Sequence, residues 1–122
     1  MKGLIVKSIL VVEDDHEIRV SIRQALEGEG YFVFSAANGI DGIAMLNRIK
    51  PPSLILLDQQ MPLMGGEEFL KIKSRDANFA TIPVIVVSAA QNKCHSSDVV
   101  SFIVKPLDID KLLSAVKQHC LD

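Results

Sequence analysis

Five short apolar runs, separated by stretches long enough to hold a helix, constrain this chain more than any other feature. They are Ser8 to Glu13, Tyr31 to Ala36, Leu54 to Asp58, Pro83 to Ser88 and Ser101 to Lys105, rich in Val, Ile, Leu or Phe. Each has the length of a strand. Most are apolar without alternation, the pattern of strands covered on both faces inside a parallel sheet, so helices are required on either side. The intervening stretches supply them. Ile18, Ile22, Ala25 and Leu26 recur at helical spacing between an Asp15 suited to the N-cap and a Gly30 suited to the stop. Asn38 can cap a second helix carrying Ile40, Ile43 and Ala44, which must end before Pro51-Pro52. Glu67 to Ser74 is a third, less periodic, helix. Ile109, Leu112, Leu113 and Val116 form an apolar stripe behind Asp108, which can cap it.

Strands alternating with helices, joined by right-handed crossovers, give a doubly wound α/β fold. Five strands suit a flavodoxin-like parallel sheet. The length of 122 residues allows one domain with a real core and no second one, so residues 1–122 read as a single unit. Thirteen basic against fifteen acidic residues, a net charge of −2, provide no overall positive field for nucleic acid or an anionic membrane. Five Phe, one Tyr and no Trp also argue against a base-stacking surface. Cys94 and Cys120 are too few and too isolated for a disulfide framework or a zinc site. With no export signal and no apolar stretch approaching the roughly 20 residues of a membrane span, a reducing cytoplasm is the expected compartment.

In an open α/β sheet, ligands bind beyond the carboxyl ends of the strands. The first run ends in Glu13, Asp14 and Asp15, the third in Asp58, the fourth in Ser88 and the fifth in Lys105. Singly, each has a bland reading, because strand ends are wet and acids there often cap the next helix. Together they do not, because carboxylates converging on one crevice repel each other unless a cation is bound. All-oxygen ligation without His or Cys favours a hard ion such as Mg²⁺, which keeps waters and accepts phosphate oxygens. A lysine and a hydroxyl nearby complete a phosphoryl site, and a carboxylate can itself be the nucleophile, which makes Asp58 the natural acceptor. His16, His95 and His119 read as exposed or helix-end residues without a ligand role, and Met61 and Met64 as packing around Pro62.

The segments ILVVEDDHEIR at 9–19, LILLDQQMPLMGG at 54–66, IPVIVVSAA at 82–90 and FIVKP at 102–106 together resemble the receiver domain of bacterial two-component response regulators. The resemblance runs in order along nearly the whole chain. It implies that Asp58 is the phosphorylated aspartate and that Mg²⁺ (or Mn²⁺) is held by Asp14 directly, by Glu13 more often through water, by Asp58 and by the backbone carbonyl of Gln60. It implies that Ser88 hydrogen-bonds the phosphoryl group, that Lys105 pairs with it, and that Phe102 is the aromatic switch. The Lys105-Pro106 bond is then a candidate cis peptide. Asp15 falls outside the acid pair and reads as a helix cap. The implied partners are a sensor histidine kinase or histidine phosphotransfer protein and a downstream protein target, with no direct nucleic acid and no membrane. The activity is self-modification, not turnover of an external substrate. The chain reads equally as a stand-alone regulator or as a receiver cut from a longer protein.

Three rival functions make different demands on the same residues. An FMN carrier needs a Ser/Thr/Gly-rich phosphate loop after the first strand, where this chain has three acids. A phosphohydrolase of the haloacid dehalogenase-like class needs a second acid two residues past the nucleophile, where Gln60 stands. A receiver-like interaction module independent of phosphorylation is the alternative, and the retained Glu13, Asp14, Asp58, Ser88 and Lys105 argue against it. The chain departs from the family in two places. Gly65-Gly66 stands where many members have Asp-Gly, which weakens the third helix's cap. The stretch from Ala89 to Val100 is several residues short, barely the roughly 10 to 12 that a whole crossover needs. It is polar, with Asp98 where many members have Gly, so the helix between the fourth and fifth strands is expected to shrink to a turn or give way to a mobile loop. The symmetric dimer that members form through that helix, and the groove for Phe102, come into doubt with it.

Overall fold

A computed structural model describes residues 6–89 and 94–120. The strands are β1 (Ser8–Val12), β2 (Phe32–Ala36), β3 (Leu54–Asp58), β4 (Val84–Ser88) and β5 (Val99–Val104), and the helices α1 (His16–Gly28), α2 (Gly39–Leu46), α3 (Gly66–Ser74) and α4 (Ile109–His119). All strands are parallel in one sheet of order β2-β1-β3-β4-β5. The continuous apolar runs explain the centre of that order. β1, β3 and β4 are buried almost throughout, because alternate residues face opposite layers and both layers are covered. Leu10, Val12, Ile55, Leu57, Val84 and Val86 pack with Phe69 and Leu70 of α3 and Leu46 of α2. Ile9, Val11, Leu54, Leu56, Ile85 and Val87 pack with Ile22 and Leu26 of α1 and Leu112 and Val116 of α4.

The caps act where the sequence places them. The carboxylate of Asp15 accepts from Ile18 N, that of Asp108 from Asp110 N and Lys111 N, and the Asn38 side chain from Asp41 N. Gly30, at φ +92°, follows α1 in the left-handed conformation that glycine adopts without cost. Gly65 caps α3 with no side-chain hydrogen bond.

The fifth strand starts earlier than the sequence suggests, at Val99 and not Ser101. The cause lies just before it. The carbonyl of Asp98 accepts from Val84 N at 2.8 Å, and the shift in register between Val84 and Ile85 lets residues 99 and 100 join the edge of the sheet. Among the described residues of the connection, Ala89 and Cys94 to Asp98, there is no helix; residues 90–93, on which part of the expectation of a mobile loop falls, lie outside the described residues. Cys94 is buried among Val84, Val86 and Phe69. Val100 and Val104 on β5 are exposed, on the opposite face from Ile103, which packs toward α4.

Two glycines test the packing. A Cβ on Gly39 would lie 2.7 Å from the Met64 carbonyl oxygen, which already accepts from Gly39 N at 3.2 Å, whereas a Cβ on Gly28 meets nothing within 4 Å. Gly39→Ala is therefore expected to destabilise the domain by about 1–3 kcal/mol. Gly28→Ala is expected to stabilise it by up to about 1 kcal/mol. Urea midpoints at constant slope measure both.

Candidate functional site

Glu13 directly follows β1, with its backbone N–H donating to the Ala36 carbonyl at 3.0 Å, and its carboxylate is turned inward at 2% exposure. One oxygen, Oε1, lies 2.9 Å from Lys105 Nζ; the other, Oε2, accepts from Asp15 N at 3.1 Å. Asp14 is exposed. Asp58 is the last residue of β3 and 5% exposed. Its Oδ1 accepts from Gln60 N at 3.2 Å, and its Oδ2 lies 3.5 Å from Lys105 Nζ. Glu13, Asp14 and Asp58 each offer a carboxylate oxygen within 4.8 Å of the others, a donor set that fits a hard divalent cation.

The other side of the crevice comes from β4 and β5. Ser88 ends β4, one step beyond the Val87 that pairs with Asp58, and its carbonyl accepts from Lys105 N at 2.9 Å. That bond ties the lysine backbone to the serine strand. Phe102 pairs with Val86 and is partly buried against the layer of α2 and α3. The Lys105-Pro106 bond is cis. The described structure thus brings together Glu13, Asp14, Asp58, Ser88 and Lys105, places Gln60 beside Asp58, and sets Phe102 two residues along the sheet. His16 and His95 are exposed, and Asp15 acts as a cap.

Sequence reasoning missed Arg19. Its Nη1 donates to the carbonyl of Glu13 at 2.8 Å and approaches that of Asp14 at 3.4 Å, and its Nη2 lies 3.1 Å from His16 Nδ1. The guanidinium thus holds the loop that carries the acid pair. The signal was the spacing: a residue one turn into α1 reaches back over the preceding loop.

The electrostatics are unbalanced. Burial pushes the Asp58 carboxyl up to about 7, assisted by hydrogen bonding with Asp14 and by the charge of Glu13, with Lys105 opposing. Burial also disfavours the charge of Lys105, but Glu13 and Asp58 outweigh it and hold the ammonium above its ordinary value.

An open parallel sheet with buried acids, a hydroxyl and a lysine at its carboxyl edge defines the class of phosphoacceptor signalling domains built on this fold. Residues 9–117 match the profile of the response regulator receiver domain, and the chain belongs to that family. It is 33% identical over 116 residues to sporulation initiation phosphotransferase F of Bacillus subtilis, covering 93% of each chain. Its fold matches chemotaxis protein CheY4 of Vibrio cholerae with a TM-score of 0.85 at 23% identity, covering 94% of this chain and 99% of that one. It also matches the receiver domain of sensor histidine kinase PA1611 of Pseudomonas aeruginosa, with a TM-score of 0.84 at 21% identity, over 95% and 98% of the two chains. In that protein a magnesium ion is coordinated in the active-site cleft. Receiver domains are phosphoacceptor regulators of two-component systems. Among the described residues no helix is long and apolar enough to cross a membrane.

A carboxyl that takes up its proton near neutrality has a defined effect on stability. Between the ordinary 3.8 and about 7 the folded protein holds a proton at Asp58 that the unfolded chain has released, so this group's contribution is greatest below about 4 and is lost as pH rises through about 7. Without metal, Asp58→Asn is therefore expected to melt higher than wild type, with a gap that is widest at pH 8 and narrows toward pH 5. Thermal unfolding across that range checks it, and a gap independent of pH would contradict it.

Proposed function

We propose that Asp58 is the phosphoacceptor, that Glu13, Asp14, Asp58 and the backbone carbonyl of Gln60 hold one Mg²⁺ or Mn²⁺, and that Ser88 and Lys105 receive the phosphoryl oxygens. The observation that carries this reading is the position of Asp58: a buried carboxylate at the sheet edge, clustered with two further acids and 3.5 Å from a lysine ammonium. The donor is a phosphohistidine on a sensor histidine kinase or a histidine phosphotransfer protein. An Asp58 oxygen attacks phosphorus in line. The bond from phosphorus to the imidazole nitrogen breaks, and its electron pair stays on the imidazole. A bound divalent ion supplies charge neutralisation at the transferring oxygens.

What this chain's residues do follows from their places. Lys105 exchanges part of its pairing with Glu13 and Asp58 for the incoming phosphoryl oxygens. Ser88, on the neighbouring strand, offers its hydroxyl to them, and a shift there frees space for Phe102 to turn inward. Phosphorylation adds roughly −1.5 to −2 charges, enough to bias such a two-state loop. The chain catalyses only its own phosphorylation and dephosphorylation, and works in the cytoplasm on a downstream protein target.

Intact-mass measurement after incubation with acetyl phosphate and Mg²⁺ tests this. Wild type is expected to gain one phosphate, Asp58→Asn none, and EDTA or Asp14→Ala is expected to suppress the adduct by at least about tenfold. An equal yield on Asp58→Asn would move the acceptor elsewhere. An undiminished yield in EDTA would leave the acids as an ordinary wet strand end.

A further inference from the structure

Away from the phosphoryl site the protein buries a second ion pair, which the proposed chemistry does not use. Lys73 of α3 has a fully buried side chain, and its ammonium pairs with the Asp98 carboxylate, 7% exposed, just before β5. The same ammonium donates to the Ala80 carbonyl at 3.1 Å, and the Ser96 hydroxyl donates to Asp98. Burial works against the charge of Asp98, but the hydrogen bonds from Lys73 and Ser96 prevail and keep its carboxyl below the ordinary value.

The two ends of this pair lead to the site. At its amino end α3 abuts Asp58: Gly66 N donates to the Gln59 carbonyl at 2.9 Å, and a Cβ on Gly66 would lie 3.0 Å from the Asp58 carbonyl oxygen. Lys73 stands about two turns further along. At the other end, Asp98 opens the strand that carries Phe102 and delivers Lys105. β5 is the edge strand beside β4, its register already shifts between Val84 and Ile85, and no helix lies among the described residues between β4 and β5. A slip of one residue would send Phe102 to the opposite face and move Lys105 along the edge.

We propose that Lys73 and Asp98 are positioning residues for the phosphoryl site: their buried pair locks the register of β5 against α3, and so fixes where Lys105 and Phe102 meet Asp58. In a chain with so short a crossover, one ion pair does what a packed helix would otherwise do. The pair's cost of burial is returned only when both charges are present, so single substitutions are the harsher ones.

The test uses the full chain in three forms: Asp98→Asn, Ser96→Ala and the double variant Lys73→Met/Asp98→Leu, which removes both charges. Two rates are read well below each melting point: amide exchange of Val99–Val104 relative to Ser8–Val12, and phosphorylation by acetyl phosphate with Mg²⁺. Asp98→Asn is expected to melt lowest, and the double variant to recover most of the melting point. Even so, the double variant is expected to exchange β5 amides at least about tenfold faster than wild type and to phosphorylate about three- to tenfold more slowly. Ser96→Ala is expected to move both rates in the same direction, by less. Wild-type β5 exchange in the double variant would overturn the proposal, as would faster exchange with an unchanged phosphorylation rate, which would make the pair structural only. The second rate rests on Asp58 being the acceptor; the first does not, so a wild type that fails to phosphorylate would refute the proposed function while β5 exchange still decides the register lock.

Discussion

The Lys105 ammonium, 2.9 Å from Glu13 and 3.5 Å from Asp58, is the interaction on which the site depends, because without it two nearly buried carboxylates would face each other with no cation between them. The sheet exists to bring it there. Glu13 follows β1, Asp58 ends β3, and Lys105 arrives from β5 through its bond to the Ser88 carbonyl at the end of β4. Four strands must stop at the same edge for these groups to meet, and parallel pairing is what aligns their ends. The balance is incomplete by design of the residues: three acids face one lysine, and Asp58, pushed up to about 7, carries the excess. That excess is what the proposed binding of a divalent cation and the proposed phosphoryl transfer would relieve.

Much of this was legible in the sequence because the signals were local. Continuous apolar runs mark doubly covered strands, and Asp15, Asn38 and Asp108 mark helix starts with side chains that do cap them. The site residues were legible because each stands at a strand's carboxyl end, where topology alone assigns them to one edge. The start of β5 was not legible. Val99 and Val100 are apolar enough for a strand, but the polar residues from Gln91 to Asp98 read as solvated loop, and nothing local reveals that Asp98 turns inward to a lysine 25 residues earlier. Lys73 gave no warning either, since a lysine near the end of a short helix is ordinarily a solvated residue favourable to the helix dipole. Both misses are long-range pairings, which residue periodicity does not report.

α3 deserves its place in the mechanism for a related reason. It is short, its cap at Gly65 has no side-chain hydrogen bond, and its intrinsic stability is accordingly low. It is held by what it touches: Phe69 and Leu70 in the core, Gly66 against the backbone after Asp58, and Lys73 at Asp98. A helix fixed by its contacts more than by its own propensity moves when those contacts move, so a charge added at Asp58 acts on an element already dependent on its surroundings.

The two buried ionic clusters show how the same chemistry takes opposite roles. At Lys73 and Asp98 one cation meets one anion, the ammonium also donates to the Ala80 carbonyl, the carboxylate also accepts from the Ser96 hydroxyl, and no described buried side-chain polar atom is left without a partner. Such a pair gains nothing from a ligand, and its directional demands favour one arrangement of the chain over its neighbours in register. At Glu13, Asp14, Asp58 and Lys105 the charges do not cancel, so the folded protein stores a cost that a cation or a proton relieves. Exposure follows the same division: Asp14 keeps its carboxylate in solvent, where an ion can enter, while Lys73 is closed off entirely. A satisfied buried pair can only hold the fold in place, whereas an unsatisfied cluster open on one side is able to respond to what binds it.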